Sequence, residues 1–313
     1  MDLVTGGAGF IGSSIAHELV RSGRKVRILD NFSTGRRVNL AGLEGRLEVH
    51  EADLRDAEAV ARAMKGVEVV FHQGALPSVP RSISDPVASN DVNVGGTLNV
   101  LQAARAEGVR RVLFASSSSI YGDAPEKLKS ESLPPRPMSP YAVGKLAAEK
   151  YCQVFHAVYG LETVCLRYFN VFGPRQDPES RYAAVIPLFT RLVLSGSPPR
   201  IYGDGEQSRD FTFIDNVVRG NLLAAETPGV AGMVFNIACG GSISVNRMAR
   251  GILELLGRTD LAPVHGPERT GDIRDSLADI SLARERLGFE PLVGFDEGLR
   301  LTVEHLARQF ESS

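Results

Sequence analysis

Three glycines spaced three apart, Gly6, Gly9 and Gly12, stand between a short apolar run, Leu3-Val4-Thr5, and an apolar-periodic stretch reaching about Arg21. That order reads as strand, tight turn, helix. The missing side chains let backbone N–H groups approach an anion at the positive end of the helix, the arrangement that holds a pyrophosphate. A glycine pattern alone is common, so its surroundings decide. The next strand, Lys25-Val26-Arg27-Ile28-Leu29-Asp30, ends in a carboxylate. An acid about 20 residues on can bind both ribose hydroxyls and repels a 2′-phosphate, which favours NAD over NADP. Asn31 and the Ser33-Thr34 turn adjoin it, as do Arg36 and Arg37.

Strands continue at Leu47–His50 and Val67–Phe71, with a helix from about Asp56 to Met64 between them. Asp53-Leu54 closes the first of these strands, where an adenine ring would lie. Asn90 to Ala106 reads as one long helix and Arg111 to Ala115 as the next strand. Apolar strands alternating with helices imply a parallel, doubly wound α/β sheet of Rossmann type. Ligands then sit beyond the carboxyl ends of the strands, where Gln73-Gly74-Ala75 and Ser116–Ser119 fall.

A second helix start follows a Pro- and Lys-rich loop, at Ser139-Pro140-Tyr141. Ser139 can cap it, Pro140 suits its first turn, and apolar periodicity runs to Tyr159. Tyr141 and Lys145 are four residues apart, so one helix face carries both, a turn apart. A cation fixed beside a phenol lowers the phenol pKa towards neutrality and makes a general base of it.

The 313 residues suit one large α/β domain, or a nucleotide-binding domain with a smaller partner. A net charge of −2 gives no electrostatic reason to expect nucleic acid or an anionic membrane as partner. Cys152, Cys165 and Cys239 form no Cys-x-x-Cys motif, and the histidines show no metal-ligand spacing, so no metal is expected. No apolar run approaches the roughly 18 residues of a membrane span. The glycine turn begins too near the first residue to leave room for a signal peptide, so the expected location is cytoplasmic.

At this point the chain resembles the extended short-chain dehydrogenase/reductase family, and within it the nucleotide-sugar 4-epimerases. The segments that carry the likeness run nearly the length of the chain. They are Thr5 to Gly12, Leu29-Asp30-Asn31, Ser117 with Tyr121-Gly122, Tyr141 with Lys145, and Arg167-Tyr168-Phe169-Asn170. Gly203-Asp204-Gly205, Ser208-Arg209-Asp210-Phe211 and Arg269-Thr270-Gly271-Asp272 complete them.

The resemblance implies Tyr141 as base, Lys145 as ribose holder and tuner of Tyr141, and Ser117 as hydrogen-bond partner of the reacting hydroxyl. It implies NAD held by Gly6, Gly9, Phe10, Ile11, Gly12, Asp30, Asn31, Thr34, Asp53, Leu54, Gln73, Gly74, Ala75, Asn93, Tyr141, Lys145, Tyr168 and Phe169. A UDP-sugar would meet Ser78, Ser117, Ser118, Ser119, Asn170, Gln176, Ala184, Val185, Tyr202, Arg209, Arg269, Asp272 and Ser276. Arg209 and Arg269 suit a diphosphate by charge and by their fork of donors. The implied division is an NAD domain of residues 1–170, rejoined by about 211–240, and a smaller, discontinuous sugar lobe of about 171–210 and 241–313. A homodimer through helices near 91–106 and 141–158 is also implied.

Relatives in such a family epimerise, dehydrate, decarboxylate or reduce, so fold alone does not choose the reaction. The dehydratases carry an Asp-Glu pair after the residue matching Ser117, and the decarboxylases a Glu. Here Ser118-Ser119 offers no acid or base of useful pKa, so chemistry stops at a 4-keto sugar. Hydride return to its other face yields the C4 epimer. Ser276, small where a Tyr would exclude bulk, leaves room for an N-acetyl group on the sugar. UDP-GlcNAc/UDP-GalNAc are therefore expected substrates, with UDP-Glc/UDP-Gal beside them. A UDP-glucuronate 4-epimerase, for which the sequence places no clear carboxylate donor, or a keto-sugar reductase are the enzymatic alternatives. A dinucleotide-sensing binding module is the non-enzymatic one.

Overall fold

A computed structural model describes residues 1–177, 184–268 and 274–311. The chain begins β1 (Asp2–Thr5), α1 (Phe10–Arg21), β2 (Val26–Asp30), β3 (Leu47–Glu51), α2 (Ala57–Met64) and β4 (Val69–His72). Next come α3 (Val79–Ser84), α4 (Pro86–Asn90), α5 (Gly96–Ala106), β5 (Arg111–Ser117), β6 (Leu128–Lys129), α6 (Pro140–Tyr159) and β7 (Glu162–Tyr168). The second half contributes β8 (Val171–Phe172), α7 (Val185–Leu194), β9 (Arg200–Tyr202), β10 (Ser208–Arg209), β11 (Thr212–Phe213), α8 (Ile214–Glu226) and β12 (Val234–Ile237). It closes with β13 (Ile243–Ser244), α9 (Val245–Leu255), β14 (Val264–Gly266), β15 (Asp275–Ala278), α10 (Ser281–Leu287) and α11 (Phe295–Glu311).

Seven strands form the main sheet in the order β12-β7-β5-β4-β1-β2-β3. Every pairing in it is parallel. A parallel strand is covered on both faces, which is why Leu3, Val4, Val69, Val70 and Phe71 are fully buried without alternation. One core packs α1 and α8 against one face, and another packs α2, α5 and α6 against the other. The strand order reverses between β1 and β4, which opens a crevice at their carboxyl ends.

A smaller sheet, β13-β10-β15-β6, stands beyond those ends. Its β6 comes from the first half of the chain, so residues 128–129 reach across to build the same sheet as Arg209 and Ser276. The sequence offered no pattern for a two-residue strand. The helix expected over Asn90–Ala106 is not continuous. It runs from Pro86 to Asn90, widens into a π-turn over Asp91–Gly95, and resumes at Gly96. β3 ends at Glu51, so Asp53 and Leu54 lie past the strand and not at its last residues.

Candidate active site

Gly9 caps α1 in an extended conformation and supplies no side-chain hydrogen bond, which leaves the first-turn N–H groups without a side-chain acceptor. Gly6 adopts φ +62°, and a Cβ on Gly12 would stand 2.2 Å from the Gly6 carbonyl oxygen. No side chain fits there. The turn is thus a bare amide surface, matched to an anion by its donors and its helix dipole. At the tip of β2, Asp30 accepts from the N–H of Ala8 at 2.9 Å and of Phe32 at 2.8 Å. Each carboxylate oxygen keeps a lone pair free for a ribose hydroxyl.

These groups line a cavity of about 580 Å³, within the range of small-molecule sites. Phe10, Ile11, Asn31, Thr34, Asp53, Leu54, Gln73, Gly74 and Ala75 share its wall, as do Tyr141, Lys145 and Tyr168. Ser78, Gln176 and Ala184, read as sugar contacts, open onto this cavity instead of the one beside it. Asp53 is engaged by Asn31 and by a fork of bonds from Arg55, which together hold its carboxyl far below the usual range. Buried polar atoms without partners among the described residues sit in the same wall: Nε of Arg175 and Oε1 of Gln176. Arg175 and Ser78 are also non-glycine residues at positive φ, +70° and +97°, a strain that collects where a fold shapes a ligand site. The bare turn, the acid at β2 and the unfilled polar atoms fit a dinucleotide.

Not all of the residues expected to hold the cofactor face it. Phe169 is fully buried and packs with Tyr121, Ala238, Ala278 and Ile280 beneath the site. Its ring makes core, while its chain neighbours Tyr168 and Asn170 line the cavities. Asn93 is buried too, but its amide donates to Leu76 O and accepts from Leu76 N at 2.7 Å. It therefore holds the Gly74–Ser78 loop in place without lining the cavity. Behind that loop a buried relay continues. Gly74 N–H donates to Thr5 Oγ1, which meets His72 Nδ1 at 2.7 Å, and His72 Nε2 meets Thr97 Oγ1 at 3.0 Å. Burial, and then the Lys145 charge, push the His72 pKa down to about 3, so the imidazole stays neutral. Thr97 carried no sequence signal beyond an ordinary helix.

A second cavity, about 430 Å³, adjoins the first across Ser116 and Tyr141. Ser117, Ser118 and Ser119 line it, with Asn170, Arg209 and Ser276 opposite. Ser119 Oγ is buried without a partner among the described residues, a donor and acceptor ready for a polar ligand. Tyr202 and Val185 belong to neither wall. Arg269 and Asp272 lie outside the described residues. Among the described residues, no group of three or more His, Cys, Asp or Glu is placed to hold a metal ion.

Tyr141 sits where the cavities meet. Burial raises its pKa, and a hydrogen bond with the Ser117 hydroxyl pulls the other way. This corrects the expectation of a phenol already lowered by its lysine. Lys145 Nζ donates to Ala115 O at 2.8 Å and stands 5.9 Å from the Tyr141 ring centroid. The ammonium is itself buried, which pushes its pKa down to about 8. With Lys145 turned to β5, the Ser117 bond does most to favour a phenolate.

The model of the NAD dependent epimerase/dehydratase family matches residues 3–238. A UDP-glucose 4-epimerase of Mycolicibacterium smegmatis is 40% identical over 96% of this chain and 97% of its own length. A UDP-N-acetylglucosamine 4-epimerase of Methanobrevibacter ruminantium, solved with UDP-N-acetylmuramic acid, superposes with a TM-score of 0.93 at 42% identity, covering 98% of both chains. A Thermus thermophilus UDP-glucose 4-epimerase solved with NAD gives 0.88 at 39% identity, over 97% of this chain and 98% of that one. On this family match, these identities and the NAD-shaped crevice, the chain belongs to the NAD-dependent epimerase/dehydratase family of extended short-chain dehydrogenase/reductases.

Proposed function

We propose that this enzyme is a UDP-sugar 4-epimerase that accepts N-acetylhexosamines and, beside them, the plain hexoses. The observation that carries the reading is Tyr141 lining both cavities, with Lys145 on the wall of one, Ser117 on the wall of the other, and no carboxylate lining the sugar side among the described residues. NAD, when bound, supplies the acceptor and later the donor of a hydride at the sugar's C4. Tyr141 takes the proton of the C4 hydroxyl at its phenolic oxygen and returns it after the sugar has turned. Ser117 holds that hydroxyl and the phenol in one line of hydrogen bonds. Lys145 keeps a positive charge under the site and anchors the base's helix to β5.

Ser118 and Ser119 stand where a further acid would be needed to eliminate water or carbon dioxide, and hydroxyls of ordinary pKa do neither. The reaction therefore ends at the epimer. Ser276, on β15 beside Arg209, leaves space for an acetamide, with Ser119 Oγ on the same cavity wall as an unfilled partner. Relatives named for both UDP-glucose and UDP-N-acetylglucosamine support a pocket that takes either. Residues 1–170 with about 211–240 would bind NAD, and about 171–210 with 241–313 the nucleotide sugar, helped by the 128–129 strand. Two copies would join through α5 and α6. Val143, Tyr151, Val154 and Val158 support this, since they leave an apolar stripe along the solvent face of α6.

The test is chromatographic. Purified enzyme is mixed with UDP-N-acetylglucosamine or UDP-glucose, and the 4-epimer is resolved without added NAD(P)H. Interconversion is expected for both. Its absence from each, or its dependence on stoichiometric reductant, would sink the reading.

A further inference from the structure

The sugar-side cavity carries a cation that the chemistry at C4 does not use. Lys129, from the two-residue strand β6, lines it close to Ser119, Gly122 and Ser276. Its backbone is fixed from both sides. Asp279 N donates to its carbonyl at 2.9 Å, and Asn236 Nδ2 donates to the same oxygen at 2.8 Å. The residue is 3% exposed, so its ammonium depends on protein partners and not on bulk water. Two partners are present, because Nζ donates to the carbonyl oxygens of Ala124 and Glu126. An ammonium has three donors. The third has no partner among the described residues.

Charge around the cavity sharpens the point. Its described lining holds two cations, Arg209 and Lys129, and no carboxylate. Asp123, Glu126 and Asp275 are near enough to favour a charged Lys129, but they do not line the cavity. Arg209 is the cation expected to meet the diphosphate of a nucleotide sugar. A neutral hexose would offer that third N–H an uncharged hydroxyl at most. A sugar bearing a carboxylate would give the third N–H a charge-assisted bond, about twice as strong as a neutral one.

We propose that Lys129 is a specificity-determining residue that admits nucleotide hexuronates, donating its third ammonium N–H to the carboxylate of the sugar. The proposal rests on reading this cavity as the sugar site of a UDP-sugar epimerase, and it widens the substrate class of that site.

The test is calorimetric binding of UDP-glucuronate and of UDP-N-acetylglucosamine to NAD-loaded wild type, Lys129→Met and Lys129→Arg. Replacing Lys129 by Met should lower the ratio of the two affinities by about 10- to 100-fold, the size of a hydrogen bond to a charged group. Lys129→Arg should keep part of the preference. A ratio unchanged in Lys129→Met, or no binding of UDP-glucuronate by wild type, overturns the proposal. A merely structural staple would weaken both ligands together. If Lys129→Met does not fold, Lys129→Gln, which keeps donors for the two carbonyls, carries the same comparison. Turnover measured in parallel separates the two readings. An intact, Lys129-dependent ratio without any epimer would sink the epimerase assignment alone, and epimerisation with an unchanged ratio would sink Lys129 alone.

Discussion

Tyr141 and Lys145 share one face of α6, yet their functional ends have different surroundings. The phenol reaches the boundary of both cavities, while the ammonium is bonded to β5. Helical spacing put the pair together, but only the packing shows that burial raises the phenol pKa against the pull of the Ser117 hydrogen bond. Replacing Tyr141 by Phe removes the base and little volume. Turnover should fall by about 10²- to 10⁴-fold, while NAD, read by its absorbance after denaturing the purified protein, should still be retained. Retained activity would remove Tyr141 from the chemistry.

Lys145 carries the stability consequence. Its folded pKa, about 8, lies below the ordinary 10.5, so between these values the unfolded chain binds more protons. Stability contributed by this group therefore rises with pH across that window, and below about pH 8 the full cost of the buried charge is present. Lys145→Met in the cofactor-free protein should gain most over wild type near pH 7 and progressively less towards pH 10. Denaturant midpoints at the two ends check it, and a difference constant with pH would contradict it.

At the scale of elements, β5, β7 and α6 are tied by a polar network beneath the base. Arg167 of β7 donates to Glu149 of α6 through Nε and Nη2, and Ser116 of β5 donates to Glu149 Oε2 at 2.7 Å. Arg167 Nη1 reaches Tyr121 Oη at 2.8 Å, and that hydroxyl donates to Asn236. Side-chain exposures of 4% for Arg167 and 0% for Glu149 leave water no role in solvating either charge. Removing one partner strands the other. Arg167→Met should cost about 3–5 kcal/mol of unfolding free energy, and Glu149→Leu with Arg167→Met together less than the sum of the single changes. Strict additivity in chemical denaturation would show that the two charges do not act as a unit.

The strands, α1 and α6 were legible because burial on both faces and cap residues leave marks in a local window. The π-turn at Asp91–Gly95 left none. It arises where the Asn93 amide must reach the Leu76 backbone, a long-range demand that no periodicity encodes. β6 escaped for a similar reason, since two residues carry no pattern and their pairing partner is 149 positions away, Leu277 against Leu128.

Across the whole molecule, a single chain leaves the apolar stripe on α6 uncovered on an element read as a dimer contact. Val154 and Val158 are 49% and 65% exposed. Changing both to Asp should convert the proposed dimer into monomers, with the mass read by light scattering. A wild-type monomer, or an unchanged mass in the variant, would refute that interface. Among the described residues, no helix is long and apolar enough to cross a membrane.

The sequence by itself determined the parallel α/β sheet, the dinucleotide turn with its acid, and the pairing of Tyr141 with Lys145 on one helix face, while Ser117 entered only by resemblance. Each is written in local spacing: glycines where no side chain fits, an acid at a strand end, two residues one helical turn apart. Tertiary structure decided what spacing cannot carry. It determined which side chains face a cavity and which face core, so that Phe169 packs inward and Asn93 braces a loop. It turned Lys145 towards Ala115, and it brought Lys129, Arg209 and Ser276 from three separate segments into one sheet beside the base. Burial and long-range pairing set those outcomes, and both depend on residues far apart in the chain.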